Sequence, residues 1–90
     1  MQGFPIFHRF GMTILELLNW STHYLRDHQI ENPRLNAELL LARSLNLNRE
    51  GLYTHLHDPS REEEKEKFER LIWKRLSGEP LQSLLGHQEF

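Results

Sequence analysis

The sequence predicts an all-α fold: a small bundle of about four main helices with a short carboxy-terminal helical turn. Three observations carry this. Apolar residues recur at helical spacing over several separate stretches. Thr13 with Glu16, and Ser60 with Glu63, stand at the spacing of a capping box. Asn32-Pro33 is a helix-opening pair, because proline at the first helical position lacks only an N–H that would have no partner there.

The first helix is predicted over 13–28. Thr13 and Glu16 cap it, Met12 and Leu17 occupy the positions of a hydrophobic staple, and Ile14, Leu17, Leu18, Ser21, Tyr24 and Leu25 form its stripe. Leu15 and Trp20 widen the stripe, so more than one neighbour is expected. The second helix spans 33–45, with Asn32 as cap and Leu35, Leu39, Ala42 and Leu45 on one face. Ala37, Leu40 and Leu41 crowd beside that face, which places this helix near the centre of the fold. Asn48 caps a short third helix over 49–55, which His57-Asp58-Pro59 ends. The fourth helix covers 61–77, capped by Ser60, with Glu62, Glu63 and Glu64 in its first turn, where the helix field favours anions. Phe68, Leu71, Ile72, Arg75 and Leu76 mark its inner side; Lys65, Lys67, Glu69 and Arg70 mark the solvated one. Gly78 stops it in a left-handed conformation and Pro80 opens the last turn, 80–85. Leu17, Leu39, Phe68 and Leu71 are expected to be largely buried.

Ninety residues suffice for one domain. Residues 1–11 show no period and read as a flexible tail, 12–86 as the helical domain, and 87–90 as the start of a linker. The stop at Phe90, on an apolar residue with no polar tail, reads as a cut inside a longer chain. The absence of cysteine excludes disulfides, thiol nucleophiles and cysteine-ligated zinc. Eleven basic against 13 acidic residues give a net charge of -2, so no bulk attraction to a phosphate backbone is expected. The longest apolar run, Leu39 to Ala42, is far too short to span a membrane, and the amino end lacks the apolar segment of a signal peptide. A cytoplasmic monomer is expected.

Candidate chemistry is sparse. His55, His57 and Asp58 are close in a turn, but a metal site needs a further rigid ligand, and the other histidines are scattered. The consecutive glutamates of the fourth helix read as solvated rather than as tuned acids. Ser21, Ser44, Ser60, Ser77 and Ser83 lack a nucleophile-elbow context. Trp20 and Trp73 read as core or interface anchors rather than base-stacking platforms. Arg34, Arg43, Arg49, Arg61, Arg70, Lys74 and Arg75 could gather on one face. No residue is assigned a catalytic, cofactor-binding or metal-binding role.

Three segments, in order, carry a specific resemblance: Thr13 to Trp20 (TILELLNW), Glu31 to Ala42 (ENPRLNAELLLA) and Gly78 to Phe90 (GEPLQSLLGHQEF). The stretch from Met12 to Phe90 resembles the amino-terminal domain of the protein-(glutamine-N5) methyltransferases that act on peptide chain release factors. The resemblance implies an amino-terminal helical domain, a linker with a β-hairpin, and a carboxy-terminal Rossmann-like domain. That second domain would bind S-adenosylmethionine and carry the Asn-Pro-Pro-Tyr motif that grips the glutamine of the release factor's Gly-Gly-Gln loop. The helical domain would help present the release factor, and the fragment alone would be inactive. Asn32-Pro33-Arg34 is not the catalytic motif, since the second proline and the tyrosine are missing. Asn36 stands where many relatives carry Asp, and Ser83 where a large residue is usual. By the resemblance, the partners are a release factor and the chain's own catalytic domain. A generic helical interaction module and a ribosome- or nucleic-acid-associated helical domain are the rival readings. Beyond stopping a helix, Gly78-Glu79-Pro80 is expected to orient the domain against its neighbour.

Overall fold

The computed structural model describes residues 12–86. Five helices follow in order: α1 (Ile14–Asp27), α2 (Pro33–Leu45), α3 (Arg49–Thr54), α4 (Glu62–Leu76) and α5 (Leu81–Leu85). Their limits fall within a residue of those expected, and the described residues contain no strand beyond one isolated bridge between Thr13 and Pro59. The expected tail and linker start, 1–11 and 87–90, lie outside the described residues.

The entry to α1 is the capping box read from the sequence. The Glu16 N–H donates to Thr13 Oγ1 at 3.1 Å, and the Thr13 N–H donates to Glu16 Oε1 at 2.9 Å. Two more first-turn donors find partners far along the chain: the Ile14 N–H meets the Asp58 carbonyl at 3.0 Å, and the Leu15 N–H meets that of Leu56 at 2.8 Å. Ser60 completes the strap, donating from its N–H (2.9 Å) and its hydroxyl (2.6 Å) to the Met12 carbonyl. This commitment corrects the sequence expectation for α4. Ser60 does not cap that helix; Arg61 takes the cap position, and its N–H donates to Glu64 Oε1 at 2.9 Å. Only the reciprocal half of a box forms, one residue later than expected, because the serine hydroxyl is used elsewhere and an arginine side chain accepts no hydrogen bond.

Asn32 also departs from its expected role. It adopts a left-handed conformation (φ 53°) and its side chain caps nothing. The Asn36 amide instead braces the turn that enters the helix, donating to the carbonyls of Glu31 at 3.0 Å and Asn32 at 3.1 Å. Three helix ends close in the same way. After α1 the Ile30 N–H reaches the Leu25 carbonyl, after α2 the Leu47 N–H reaches Ala42, and after α4 the Glu79 N–H reaches Lys74, each across a residue with positive φ: Gln29, Asn46 and Gly78. Gly78, at φ 112°, occupies backbone space that side chains avoid, as its position after α4 foretold.

The core gathers around α2, which touches all four other helices. Leu17, Leu18 and Leu25 of α1, Ala37, Leu40 and Leu41 of α2, Leu52 of α3, and Phe68 and Ile72 of α4 are fully enclosed, with Leu84 of α5 beside them. Two core expectations fail. Leu39 and Leu71 are half-buried, and Leu35 is exposed. The inner face of α2 runs instead through Ala37, Leu40, Leu41 and Ser44, rotated from the face the leucine spacing suggested. With Leu39, Leu40 and Leu41 consecutive, several phases of the pattern were equally apolar. Lys65 is the reverse case. It was placed on the solvated side of α4, yet it is buried in register with Phe68 and Ile72, its ammonium 3.4 Å from Glu62 Oε1. A lysine stem covers apolar surface while its charge stays near the rim.

Candidate functional site

The chain's polar side chains converge at a carboxylate that the sequence reading did not single out. Glu38 sits in the middle of α2 with its side chain only 5% exposed. A charge so enclosed must be paired. Arg34, one turn earlier, brings Nε to 3.3 Å from Oε2, and the Tyr53 hydroxyl of α3 donates to the same oxygen. Arg49, at the start of α3, brings Nη2 to 2.8 Å from Oε1; the contact is an ion pair that lies off the hydrogen-bond direction. Arg34 spends its other donors on Asn19 Oδ1 of α1 at 3.0 Å and on the Tyr53 oxygen at 3.2 Å. One buried carboxylate thereby ties α1, α2 and α3 together and fixes two guanidiniums at the surface.

The electrostatics follow from this geometry. Burial pushes the Glu38 carboxyl up, but the Tyr53 hydroxyl and the Arg49 and Arg34 guanidiniums outweigh it and hold the group below the usual carboxylate range. Burial acts on Arg34 in the opposite sense, pushing it down; Tyr53 and Glu38 outweigh that and hold it above its ordinary value. The i,i+4 spacing of Arg34 and Glu38 on a helix was the available signal.

Beside this network lies an open groove of about 590 Å³. Its floor is apolar, from Leu39, Leu47 and Leu85, and Arg43 and Arg49 stand over it with Glu50. Arg43 also lines a second hollow of about 250 Å³, with Asn46, Lys67 and Leu71. The structure thus brings three of the seven cations considered as a cluster, Arg34, Arg49 and Arg43, to one side of the molecule around α2 and α3. It separates the others. Arg75 donates from Nε to Asn36 Oδ1 at 2.9 Å and from Nη1 to the Glu79 carbonyl at 3.3 Å, so it joins α2 to the turn before α5. Arg61 pairs with Glu63 and Glu64, each at 3.8 Å, while Arg70 and Lys74 are exposed on α4.

The remaining candidates resolve simply. His55 Nδ1 lies 2.7 Å from Asp58 Oδ2 in the turn after α3, and among the described residues no three histidine or carboxylate side chains converge to hold a metal. Glu62 and Glu63 are exposed, and Glu64 serves the Arg61 cap. Ser21 and Ser44 donate to carbonyls of their own helices, Leu18 and Leu40. Trp20 stacks on Tyr24 at 4.7 Å between ring centres, and Trp73 is 42% exposed.

The fold and site define a small all-α domain that carries two buttressed guanidiniums beside an apolar groove. Its sequence places it more narrowly: residues 16–86 match the family described as the PrmC N-terminal domain, and the chain belongs to that family. It is similar to proteins named release factor glutamine methyltransferase. The one from Geobacter sulfurreducens is 42% identical over 78 residues, which cover 87% of this chain and 28% of the relative. That from Rhodopirellula baltica is 38% identical, covering 87% and 26%, and that from Koribacter versatilis 37%, covering 88% and 28%. The chain therefore spans little more than a quarter of the length of these relatives. No solved structure matches it.

Proposed function

We propose that residues 12–86 form the release-factor-facing helical domain of a release factor glutamine methyltransferase. The whole protein would transfer a methyl group from S-adenosylmethionine to the glutamine of the release factor's Gly-Gly-Gln motif, in the cytoplasm. Membership of the PrmC N-terminal domain family carries this reading. Residues 87–90 would begin the linker to a catalytic domain. No helix of the described residues is long and apolar enough to cross a membrane.

S-adenosylmethionine supplies an electrophilic methyl group, and its binding calls for a strand, a glycine-rich turn and an acidic group for the ribose hydroxyls. The residues described here do not fit it. Gly51 lies inside α3, Gly78 ends α4 and Gly86 ends α5, none after a strand. No step of methyl transfer is assigned to this chain. Its contribution is placement. An amide nitrogen is a poor nucleophile, and holding the protein substrate in register with the donor removes much of the entropy cost of the reaction.

A chimera tests the proposal. This chain replaces the matching amino-terminal part of the Geobacter relative, and methylation of release factor is measured. The chimera is expected to methylate, and the relative stripped of its amino-terminal part to lose most of its kcat/KM. Full activity of the stripped relative would contradict a role in presenting substrate.

A further inference from the structure

We propose that the groove bounded by α2, α3 and α5, with the hollow that continues it toward α4, seats an acidic amphipathic segment of the protein partner. On the reading above, that partner is the release factor.

The floor and the rim ask for different chemistry. Leu39, Leu47 and Leu85 present an apolar surface that only apolar side chains cover without loss. Arg49 and Arg43 stand over it, and Lys67 extends the line in the adjoining hollow, which no acidic residue lines. Glu50 is the one acidic side chain lining either space. Among the described residues Arg43 and Lys67 form no ion pair, and Arg49, 53% exposed, is held in place by Glu38 with donors left over. A local excess of positive charge on a chain of net charge -2 is a selective feature rather than a general one. Carboxylates spaced along one side of an apolar strip complement it, giving orientation and a faster encounter.

Nucleic acid fits less well. Tight binding to a phosphate backbone rests on about six to ten cationic contacts, and three cations line these spaces. Single strands are held by aromatic platforms, whereas the floor here is leucine.

The test measures the affinity of the full chain for purified release factor by fluorescence anisotropy at low and high salt. Three variants of equal charge change are compared: Arg43→Glu, Lys67→Glu and, as control at the far end of α1, Arg26→Glu. Circular dichroism melts establish that each is folded. Binding is expected to weaken with salt, about tenfold for Arg43→Glu and for Lys67→Glu, and less than about twofold for Arg26→Glu. Equal effects of Arg43→Glu and Arg26→Glu would overturn the groove while leaving the release-factor reading intact. Self-association abolished by Arg43→Glu would assign the groove to a second copy and overturn the proposal. So would binding of a polyuridine strand tighter than release factor. No binding by the unmodified chain would instead overturn the reading on which the proposal rests.

Discussion

Glu38 shows how one residue shapes a surface. Its carboxylate is enclosed, yet the two guanidiniums that pair with it, Arg34 and Arg49, and the Tyr53 hydroxyl that donates to it belong to side chains each roughly half exposed. The buried acid thus works on the outside of the molecule by locking the rotamers of two arginines and a tyrosine. Removing its charge leaves that surface loose. Glu38→Gln is expected to cost about 1–3 kcal/mol at neutral pH, in line with the loss of charged hydrogen bonds. The pH dependence has a definite sign. The folded carboxyl is held below its ordinary value, so its contribution is present above the unfolded pKa of about 4.3 and is lost as pH falls through the lower folded value. The difference in thermal midpoint between the native chain and Glu38→Gln should therefore be constant above about pH 5 and shrink on acidification. A difference that grows toward low pH would contradict this network.

At the scale of the elements, the contrast between α1 and α4 shows what local pattern reveals. Thr13 caps α1 as its spacing to Glu16 indicates, because nothing else competes for its hydroxyl. Ser60 has the same spacing to Glu63 but sits opposite Met12 in the folded chain, 48 residues away, and its hydroxyl goes there. No local rule contains that contact. The phase of α2 escaped for a different reason: its leucines are dense enough that apolarity alone does not choose a face, and the choice falls to the packing of four neighbours. Lys65 was misplaced because a charged residue with a long apolar stem reads as polar while packing as apolar. The corrected phase makes a sharp expectation. Leu40→Ala, at a fully enclosed site, should cost about 2–5 kcal/mol and threaten the fold. Leu39→Ala, half-buried at the groove floor, should cost clearly less. Urea denaturation of the two variants decides it, and equal losses would restore the phase read from spacing.

For the whole molecule, fold class, helix limits and family were legible because they rest on short-range signals: caps, the Asn-Pro start, the glycine stop and the three resembling segments. The candidate site was not, because it is made across elements. Arg43, Arg49 and Lys67 come from three different helices, and Arg43 lines one hollow with Arg49 and another with Lys67 only after α2 has been surrounded. Arg75 shows the same dependence. Its bond to Asn36 spans 39 residues, and with its bond to the Glu79 carbonyl it holds the turn that sends the chain into α5. These bonds tie the elements around α2 together, and under the proposed function the outward face of that framework presents the release factor. A titration of the isotopically labelled chain with release factor, followed by amide resonances, tests that role most directly. A contiguous set of shifts centred on Leu39 to Glu50 and reaching Lys67 is expected, with α1 residues 21–27 undisturbed. Unmoved resonances at a large excess of release factor would show that this domain does not face the substrate.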